Sequence, residues 1–246
     1  MIDPIRVNDV IALREDIPEH SLSQGRIGQV LEVLTPDEFK IEFVDSDDQP
    51  VAKPHLKRRQ FISLRHEGTL DGAGFWKLIE DSRLESGGDI ERQHEILVDK
   101  VASLSIADIF AYGKLFPQIS ELANHAFLWD AASIICNGCS SDGFDYFRPW
   151  LIAQGKAVFY DALQDPEILV DHVQIRCDGF ETYGDAQFEL INYVDSYAYR
   201  KKMGERMPTL FAIATLPKRI GEYWAEATVE QQYPKLAAKF HGEPCE

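Results

Sequence analysis

The hydrophobic pattern of this sequence changes its period near residue 70, and that change constrains the fold more than any other feature. Before it, short runs of β-branched and aromatic residues are separated by Gly, Pro, Asp and Ser, which is typical of a small antiparallel sheet or barrel. After it, apolar residues recur at helical spacing, beginning with FWKLIEDSRL. The sequence therefore predicts an α+β multidomain protein, with a small β-barrel followed by a mainly α-helical domain.

Glycines mark the boundary between the two parts. Gly68, Gly72 and Gly74 lie close together among polar residues, and glycine interrupts regular structure because its backbone is so little restricted. We divide the chain into three predicted segments, which are a β-barrel domain over 1–66, a linker over 67–74 and a mainly helical domain over 75–246.

One strand of the first part indicates which of its faces is buried. In EFKIEFVD, Phe39, Ile41 and Phe43 alternate with charged residues, and alternate residues of a strand point to opposite faces. We expect these three side chains to face the core. Turn-forming residues 45–48 follow and predict a hairpin.

Residues 6–64 resemble an uncharacterised bacterial family, the domain of unknown function 4926. The resemblance rests on REDIPEHSLSQGRIGQVLEVL followed by FKIEFVD, in which Gly25 and Gly28 stand where a strand leaves a tight turn. It implies an SH3-like β-barrel and no agreed activity.

A basic patch follows in the same part, formed by Lys53, Lys57, Arg58 and Arg59, with His55 among them. Three interpretations stay open. The patch can be a charged edge strand that resists pairing with other chains, a docking surface for the acidic second domain, or a set of phosphate contacts.

The excess of acidic side chains belongs to the second part. The chain has 41 acidic and 25 basic side chains and a net charge of −16, of which residues 1–66 hold 12 acidic and 9 basic, so 29 and 16 remain. A domain of this sign repels phosphates, which argues against nucleic acid as a partner. We expect either charge that maintains solubility or an acidic face that docks a basic protein.

The start of the chain and its apolar runs indicate the compartment. MIDPIRVNDV lacks the basic start and apolar stretch of a secretory signal. The longest apolar run, 210–216, is far shorter than the roughly 20 residues that cross a bilayer. We therefore expect a cytoplasmic protein without a membrane segment, whose four cysteines stay reduced.

Two local signals place helices in the second part. Ser105, followed by Asp108 three residues later, is typical of a capped helix start. Pro117 is predicted to separate that helix from the next, which we expect over residues 119–136, because proline interrupts helical hydrogen bonding.

The most distinctive stretch is LWDAASIICNGCSSDGFDYFRPWLIAQGKAVFYDAL, in which polar residues 137–142 join two aromatic-rich helical runs. Together with FWKLIEDSR and YPKLAAKF, it resembles a second uncharacterised bacterial family, the domain of unknown function 4240, over about residues 74–241. Asn137 stands where that family typically has the first glycine of Gly-Gly-Cys. The resemblance implies no catalytic residues.

The same stretch holds the candidate site. Asp142, Asp145 and Arg148 recur every three residues, so on a helix they would lie along one side, where carboxylates and a guanidinium can pair. They can be a structural pair with Asp142 as helix cap, a ligand or partner site that includes Trp150, or a catalytic carboxylate pair.

Cys136 and Cys139 have the spacing of a metal knuckle or a redox pair. No second Cys-x-x-Cys supplies the four ligands of a structural zinc site. We expect buried, inert thiols, with no metal and no cofactor.

Two functions follow from these observations. The first is a non-enzymatic protein-interaction or regulatory module, immunity-like, whose acidic domain covers a basic protein partner. The alternative is an enzyme or small-ligand sensor that uses the loop and helix at 137–150, with His125 or Asp130 nearby. The sequence assigns no catalytic residue and leaves the oligomeric state open.

Overall fold

The computed structural model describes residues 4–45, 49–64, 69–178, 181–207, 221 and 226–241. The chain forms two compact units, each assembled from separate segments. The first unit consists of Met1–Phe75, Leu97–Leu115 and Tyr193–Thr215. The second unit consists of Trp76–Ile96, Phe116–Asn192 and Leu216–Glu246.

An antiparallel sheet occupies the N-terminal part of the first unit. Its strands are β1 (Val10–Leu13), β2 (Ile27–Thr35), β3 (Glu38–Val44), β4 (Pro50–Ala52), β5 (His55–Lys57) and β6 (Phe61–Ser63). Hydrogen-bonded neighbours run in the order β4-β3-β2-β1-β6, and β5 also pairs with β3. The predicted antiparallel sheet is therefore confirmed, although the pairings among the described strands do not close it into a barrel.

The alternation predicted for β3 is also confirmed. Phe39, Ile41 and Phe43 are buried and belong to one hydrophobic core. Gly28 of β2 lies so close to this row that a Cβ there would be 2.7 Å from the Phe43 ring. The hairpin expected after β3 is present, since β3 pairs with β4, while residues 46–48 of its turn lie outside the described residues.

A mainly helical region follows the sheet, as predicted. Its helices are α1 (Gly72–Ser86), α2 (Ile90–Ser103), α3 (Ile106–Leu122), α4 (Ala126–Ile135), α5 (Ser141–Ala153), α6 (Lys156–Ala162), α7 (Val194–Met203), α8 (Glu226–Gln232) and α9 (Pro234–Phe240). Two short strands, β7 (Ile175–Asp178) and β8 (Glu181–Gly184), form a hairpin that the sequence did not predict. None of the described helices is both long and apolar enough to cross a membrane.

The predicted start of α3 is confirmed, whereas its predicted end is wrong. The backbone N–H of Asp108 donates to Ser105 Oγ at 3.1 Å, and the hydroxyl donates to the Asp108 carboxylate at 2.7 Å, so the predicted cap is present. The prediction that Pro117 separates two helices is wrong, because Pro117 lies inside α3. Helix α1 begins at Gly72, so residues 72–74 of the predicted linker form its first turn.

Candidate functional site

Residues 136–140 join α4 to α5 through a left-handed turn. The φ angles are 52° at Asn137 and 105° at Gly138, and the Gly138 N–H donates to the Ser133 carbonyl at 2.7 Å, which ends α4. Asparagine is enriched among the non-glycine residues that adopt positive φ. Asn137 can therefore adopt the left-handed backbone conformation at the position where the second resembled family typically has glycine.

Ser140, rather than Asp142, caps α5. The Ser140 hydroxyl accepts the backbone N–H of Gly143 at 3.0 Å. Asp142 is exposed in the first turn, where a negative charge is favourable near the helix N-terminus. The interpretation of Asp142 as the cap is thus corrected.

Arg148 is held by two carboxylates and an aromatic ring. It is only 8% exposed, pairs with Asp145 on its own helix and lies 3.7 Å from a carboxylate oxygen of Glu121 on α3. Its guanidinium carbon is 5.4 Å from the centre of the Phe144 ring. The two negative charges offset the free-energy cost of burying this cation. The contacts of Arg148 are therefore explained by the internal structure of the protein.

Trp150 belongs to the core of the second unit. It is 3% exposed, and its ring centre lies 5.6 Å from that of Phe147, which in turn lies 5.9 Å from that of Phe144. The structure therefore pairs Asp145 with Arg148, places Asp142 on the surface and places Trp150 in the core. The four predicted contact residues do not share one environment.

The two cysteines of the loop are reduced, half-buried thiols. Burial raises the pKa of the Cys136 thiol to about 11, the nearby charge of Asp185 adds to this, and a hydrogen bond with Gln187 opposes it. Among the residues that the structure describes, no group of three or more histidine, cysteine or acidic side chains could hold a metal ion. Cys245 lies outside those residues.

The other residues named with this site lie around the same loop and α4. His125 precedes α4 and stacks on Phe127, with ring centres 5.0 Å apart, and Asp130 is buried within α4. Gln187 packs against the loop, with its amide nitrogen 3.1 Å from where a Cβ of Gly143 would be. No local pattern indicated Gln187, because it comes from a distant segment.

A half-buried aspartate that sequence reasoning missed lies in the first unit. Asp195, in the first turn of α7, lies against the backbone of Gly113 in α3 and accepts the Ser196 N–H at 2.8 Å. Burial raises its pKa. Burial also raises the pKa of the neighbouring Tyr112, and the charge of Asp195 adds to that effect.

The basic patch divides into residues with different surroundings. Lys53 pairs with Glu42 at 2.7 Å, whereas Lys57 and Arg59 are exposed. Nη1 of Arg58 donates a hydrogen bond to the Phe61 carbonyl at 2.9 Å, and the guanidinium carbon lies 5.3 Å from the centre of the Phe61 ring.

Arg58 also lines a groove of about 550 Å³ in the first unit, which we call the Arg58 groove. Its apolar lining comes from the chain start, the end of β2, the following turn and β3, and includes Ile5, Val33, Leu34, Pro36 and Phe39. Val33 and Leu34 are 40% and 36% exposed. Cationic and apolar surface therefore meet at one place on the sheet.

Comparison with known proteins identifies two families. Residues 70–201 match a family described as Protein of unknown function (DUF4240), and residues 7–63 match one described as Domain of unknown function (DUF4926). Both resemblances drawn from the sequence are thereby confirmed. No curated protein and no solved structure matches the chain.

Proposed function

The chain belongs to the family of proteins of unknown function DUF4240, and because that family carries no activity with it, we propose from the surface chemistry that the protein acts by binding another protein. The partner presents a basic surface, and the acidic surface of the second unit covers it. A regulatory role of the immunity-like kind fits this mode of binding.

The charge of the exposed side chains of the second unit is the observation that supports this proposal. Its described residues include eleven exposed carboxylates, Glu85, Asp89, Glu91, Glu95, Asp142, Asp161, Asp165, Asp171, Asp185, Glu189 and Glu230. They include five exposed basic side chains, Lys77, Arg92, Lys156, Arg176 and Lys235. Such an imbalance attracts a basic partner over long range and raises the association rate.

The loop and helix at 137–150 give less support to an enzyme or a small-ligand sensor. Arg148 is enclosed by its own carboxylate partners, so its charge is already compensated. The pKa of about 11 at Cys136 disfavours the thiolate that a nucleophile or a redox pair needs. Asp142 is exposed, and a partner contact by this residue agrees with the protein-binding proposal.

For the N-terminal sheet we propose the SH3-like fold that its family resemblance implies. A 3₁₀ turn over Arg58–Gln60 joins β5 to β6, and β1 pairs with both β2 and β6, so the first and last strands are neighbours. Long-range NOEs in the full chain that connect the two ends of the sheet would support a barrel. An open sheet in solution would contradict it.

The protein-binding proposal is tested by capture at two ionic strengths. The full chain is immobilised and exposed to an extract of the cells that produce it, at low salt and at about 0.5 M salt, where exposed charges more than a few ångströms apart are screened. We expect a basic protein that is retained at low salt and released at high salt. Capture of an acidic partner, or capture that salt does not affect, would contradict the proposal.

Charge variants then test whether the second unit makes the contact. Glu91 and Glu95 are exposed on one face of α2, and the double change Glu91→Gln and Glu95→Gln keeps their shape. The matched control is Glu19→Gln with Glu32→Gln, two exposed residues of the first unit. We expect weaker capture from the first pair and unchanged capture from the control.

A further inference from the structure

We propose that Asn137 is a site of spontaneous deamidation, which the fold protects and which movement of residues 136–140 exposes to reaction. The reaction converts the side-chain amide into a carboxylate and uses only water as co-reactant. This inference goes beyond the proposed function, because it assigns a covalent modification to one residue and does not depend on any binding partner.

The dipeptide Asn137-Gly138 is the sequence feature that indicates the site. The backbone nitrogen that follows an asparagine can attack the side-chain carbonyl carbon, and glycine hinders this attack least because it has no side chain. The other three asparagines, Asn8, Asn124 and Asn192, precede aspartate, histidine and tyrosine. Asn137 is therefore the asparagine of this sequence that faces the least hindered nucleophile.

The reaction has two steps whose atoms balance. The Gly138 nitrogen loses its proton and bonds to Cγ of Asn137, and Nδ2 leaves as ammonia, so that a cyclic imide forms. Water then breaks one of the two C–N bonds of the imide. The product at position 137 is aspartate, or isoaspartate, in which the main chain runs through the side chain. Neither step oxidises or reduces any atom.

The surroundings of the dipeptide are accessible to water. Asn137 and Gly138 are both exposed. Within the described part of the chain, and apart from its own chain neighbours, nothing lies within 4 Å of the place where a Cβ of Gly138 would be. Packing therefore does not exclude the water that the second step needs, and protection has to come from the backbone.

One backbone hydrogen bond protects the site. The Gly138 N–H donates to the Ser133 carbonyl at 2.7 Å, and this is the proton that must leave before the nitrogen attacks. Ser133 belongs to α4, which the buried Ile134 and Ile135 hold in the core, so the acceptor stays in place. The attack therefore requires a local opening that separates Gly138 from the end of α4.

The start of α5 holds the loop from its other end. The Ser140 hydroxyl accepts the Gly143 N–H at 3.0 Å, and Sγ of Cys139 is 3.6 Å from where a Cβ of Gly143 would be. The dipeptide thus lies in a loop of five residues, 136–140, that is fixed at both ends. The cap at Ser140 resists the movement that releases the Gly138 N–H.

The product prevents the loop from returning to its original conformation. A carboxylate at position 137 lies at the C-terminal end of α4, where the helix dipole disfavours negative charge. Isoaspartate adds a carbon to the main chain and moves the Gly138 N–H away from Ser133. Deamidation therefore makes a transient opening permanent, and it adds a negative charge to the exposed surface of the second unit.

The first test compares the full chain in the folded state and in urea, at one pH and one temperature. Mass spectrometry measures deamidation at Asn137, and hydrogen exchange measures the protection of the Gly138 amide in the folded state. Since both reactions require the same opening, folding should slow deamidation by at least the protection factor of this amide. Equal rates in the two states, or an Asn137 that stays intact in urea, would overturn the proposal.

Two glycine variants identify the nucleophile in the urea-unfolded chain, where an effect on folding plays no part. Gly138→Ala should slow deamidation of Asn137 severalfold, because a methyl group then hinders the attacking nitrogen. Gly155→Ala changes a glycine that does not follow an asparagine and should leave the rate unchanged. Equal rates in the two variants would overturn the assignment of the Gly138 nitrogen as the nucleophile.

Two neighbouring serines test the opening in the folded protein, at a temperature well below unfolding. Ser140→Ala removes the cap of α5 and should raise the deamidation rate about threefold or more, since an N-cap stabilises the start of its helix. Ser141→Ala changes an exposed residue that does not form this cap, and it should leave the rate unchanged. Equal rates in these two variants would overturn the assignment of the opening to residues 136–140.

Discussion

The carboxylate of Asp195 lies against the backbone of Gly113, in the place where any other residue would carry its side chain. Gly113 belongs to α3 and Asp195 to the first turn of α7. The two helices of the first unit can approach this closely because residue 113 has no side chain. The position of the Asp195 carboxylate therefore requires a glycine at residue 113.

Gly113→Ala should lower the free energy of unfolding by about 1–3 kcal/mol, because the added methyl must displace the half-buried carboxylate of Asp195. Urea denaturation measures the change. Gly72→Ala is the matched control, since nothing lies within 4 Å of the corresponding Cβ and alanine favours a helix. A Gly113→Ala protein as stable as the Gly72→Ala protein would contradict the contact.

Asp195 should make stability depend on pH. Because burial raises its pKa, the folded protein holds this proton more tightly than the unfolded chain does. The resulting stabilisation is present below the ordinary carboxyl pKa of about 3.9 and is lost as pH rises through the raised value. Asp195→Asn, neutral at every pH, should gain stability relative to the wild type between pH 3 and pH 7. A stability difference that stays constant with pH would rule this out.

Asp108 should protect two backbone amides at the start of the helical region. Its carboxylate accepts the N–H groups of Thr69 at 2.5 Å and Leu70 at 2.8 Å. Asp108→Ala should expose both amides to hydrogen exchange and cost about 1–2 kcal/mol. Asp108→Asn keeps one acceptor oxygen and should cost less. Unchanged exchange at Thr69 and Leu70 in the alanine variant would show that these bonds are absent in solution.

The carboxylate of Asp108 should stop protecting the Thr69 and Leu70 amides at low pH. Partial burial alone would raise the pKa of Asp108, but the hydrogen bonds from Ser105, Leu70 and Thr69 outweigh it and lower the pKa. Its contribution to stability is therefore present above the ordinary carboxyl pKa and disappears as pH falls through the lowered value. Exchange of the Thr69 and Leu70 amides followed toward low pH checks this, with Asp108→Asn as the reference.

Cys136 should react slowly with alkylating reagents at neutral pH. Burial raises the pKa of this thiol from an ordinary value of 9.0 to about 11, which lowers the thiolate fraction at neutral pH by roughly 100-fold, since each pKa unit is a factor of ten. Mass spectrometry of partially alkylated protein resolves each cysteine separately. The urea-unfolded chain is the control, and equal rates in the folded and unfolded states would contradict the burial of this thiol.

The features that the sequence predicted correctly depend on residues close together in the chain. The alternation of Phe39, Ile41 and Phe43 and the cap formed by Ser105 and Asp108 each involve only a few positions, so local rules apply. The contact of Arg148 with Glu121 and that of Asp195 with Gly113 join distant segments, and no local pattern indicates them.

Pro117 shows where a local rule is outweighed. Proline removes one helical hydrogen bond and was predicted to end the helix. Helix α3 carries three buried aromatic residues before the proline, Phe110, Tyr112 and Phe116. Packing of such side chains supplies most of the stability of a helix within a protein. The loss of one hydrogen bond is small beside that packing, so α3 continues to Leu122.

The composition of the first unit bears on how this chain can change in evolution. The unit combines residues of the DUF4926 match with Leu97–Leu115 and part of α7 from the DUF4240 match, and the Tyr199 hydroxyl donates to the Gly25 carbonyl between them at 3.4 Å. A recombination at the boundary between the two matches would divide one folding unit. We therefore expect a substitution in one of the two matched segments to require a compensating substitution in the other.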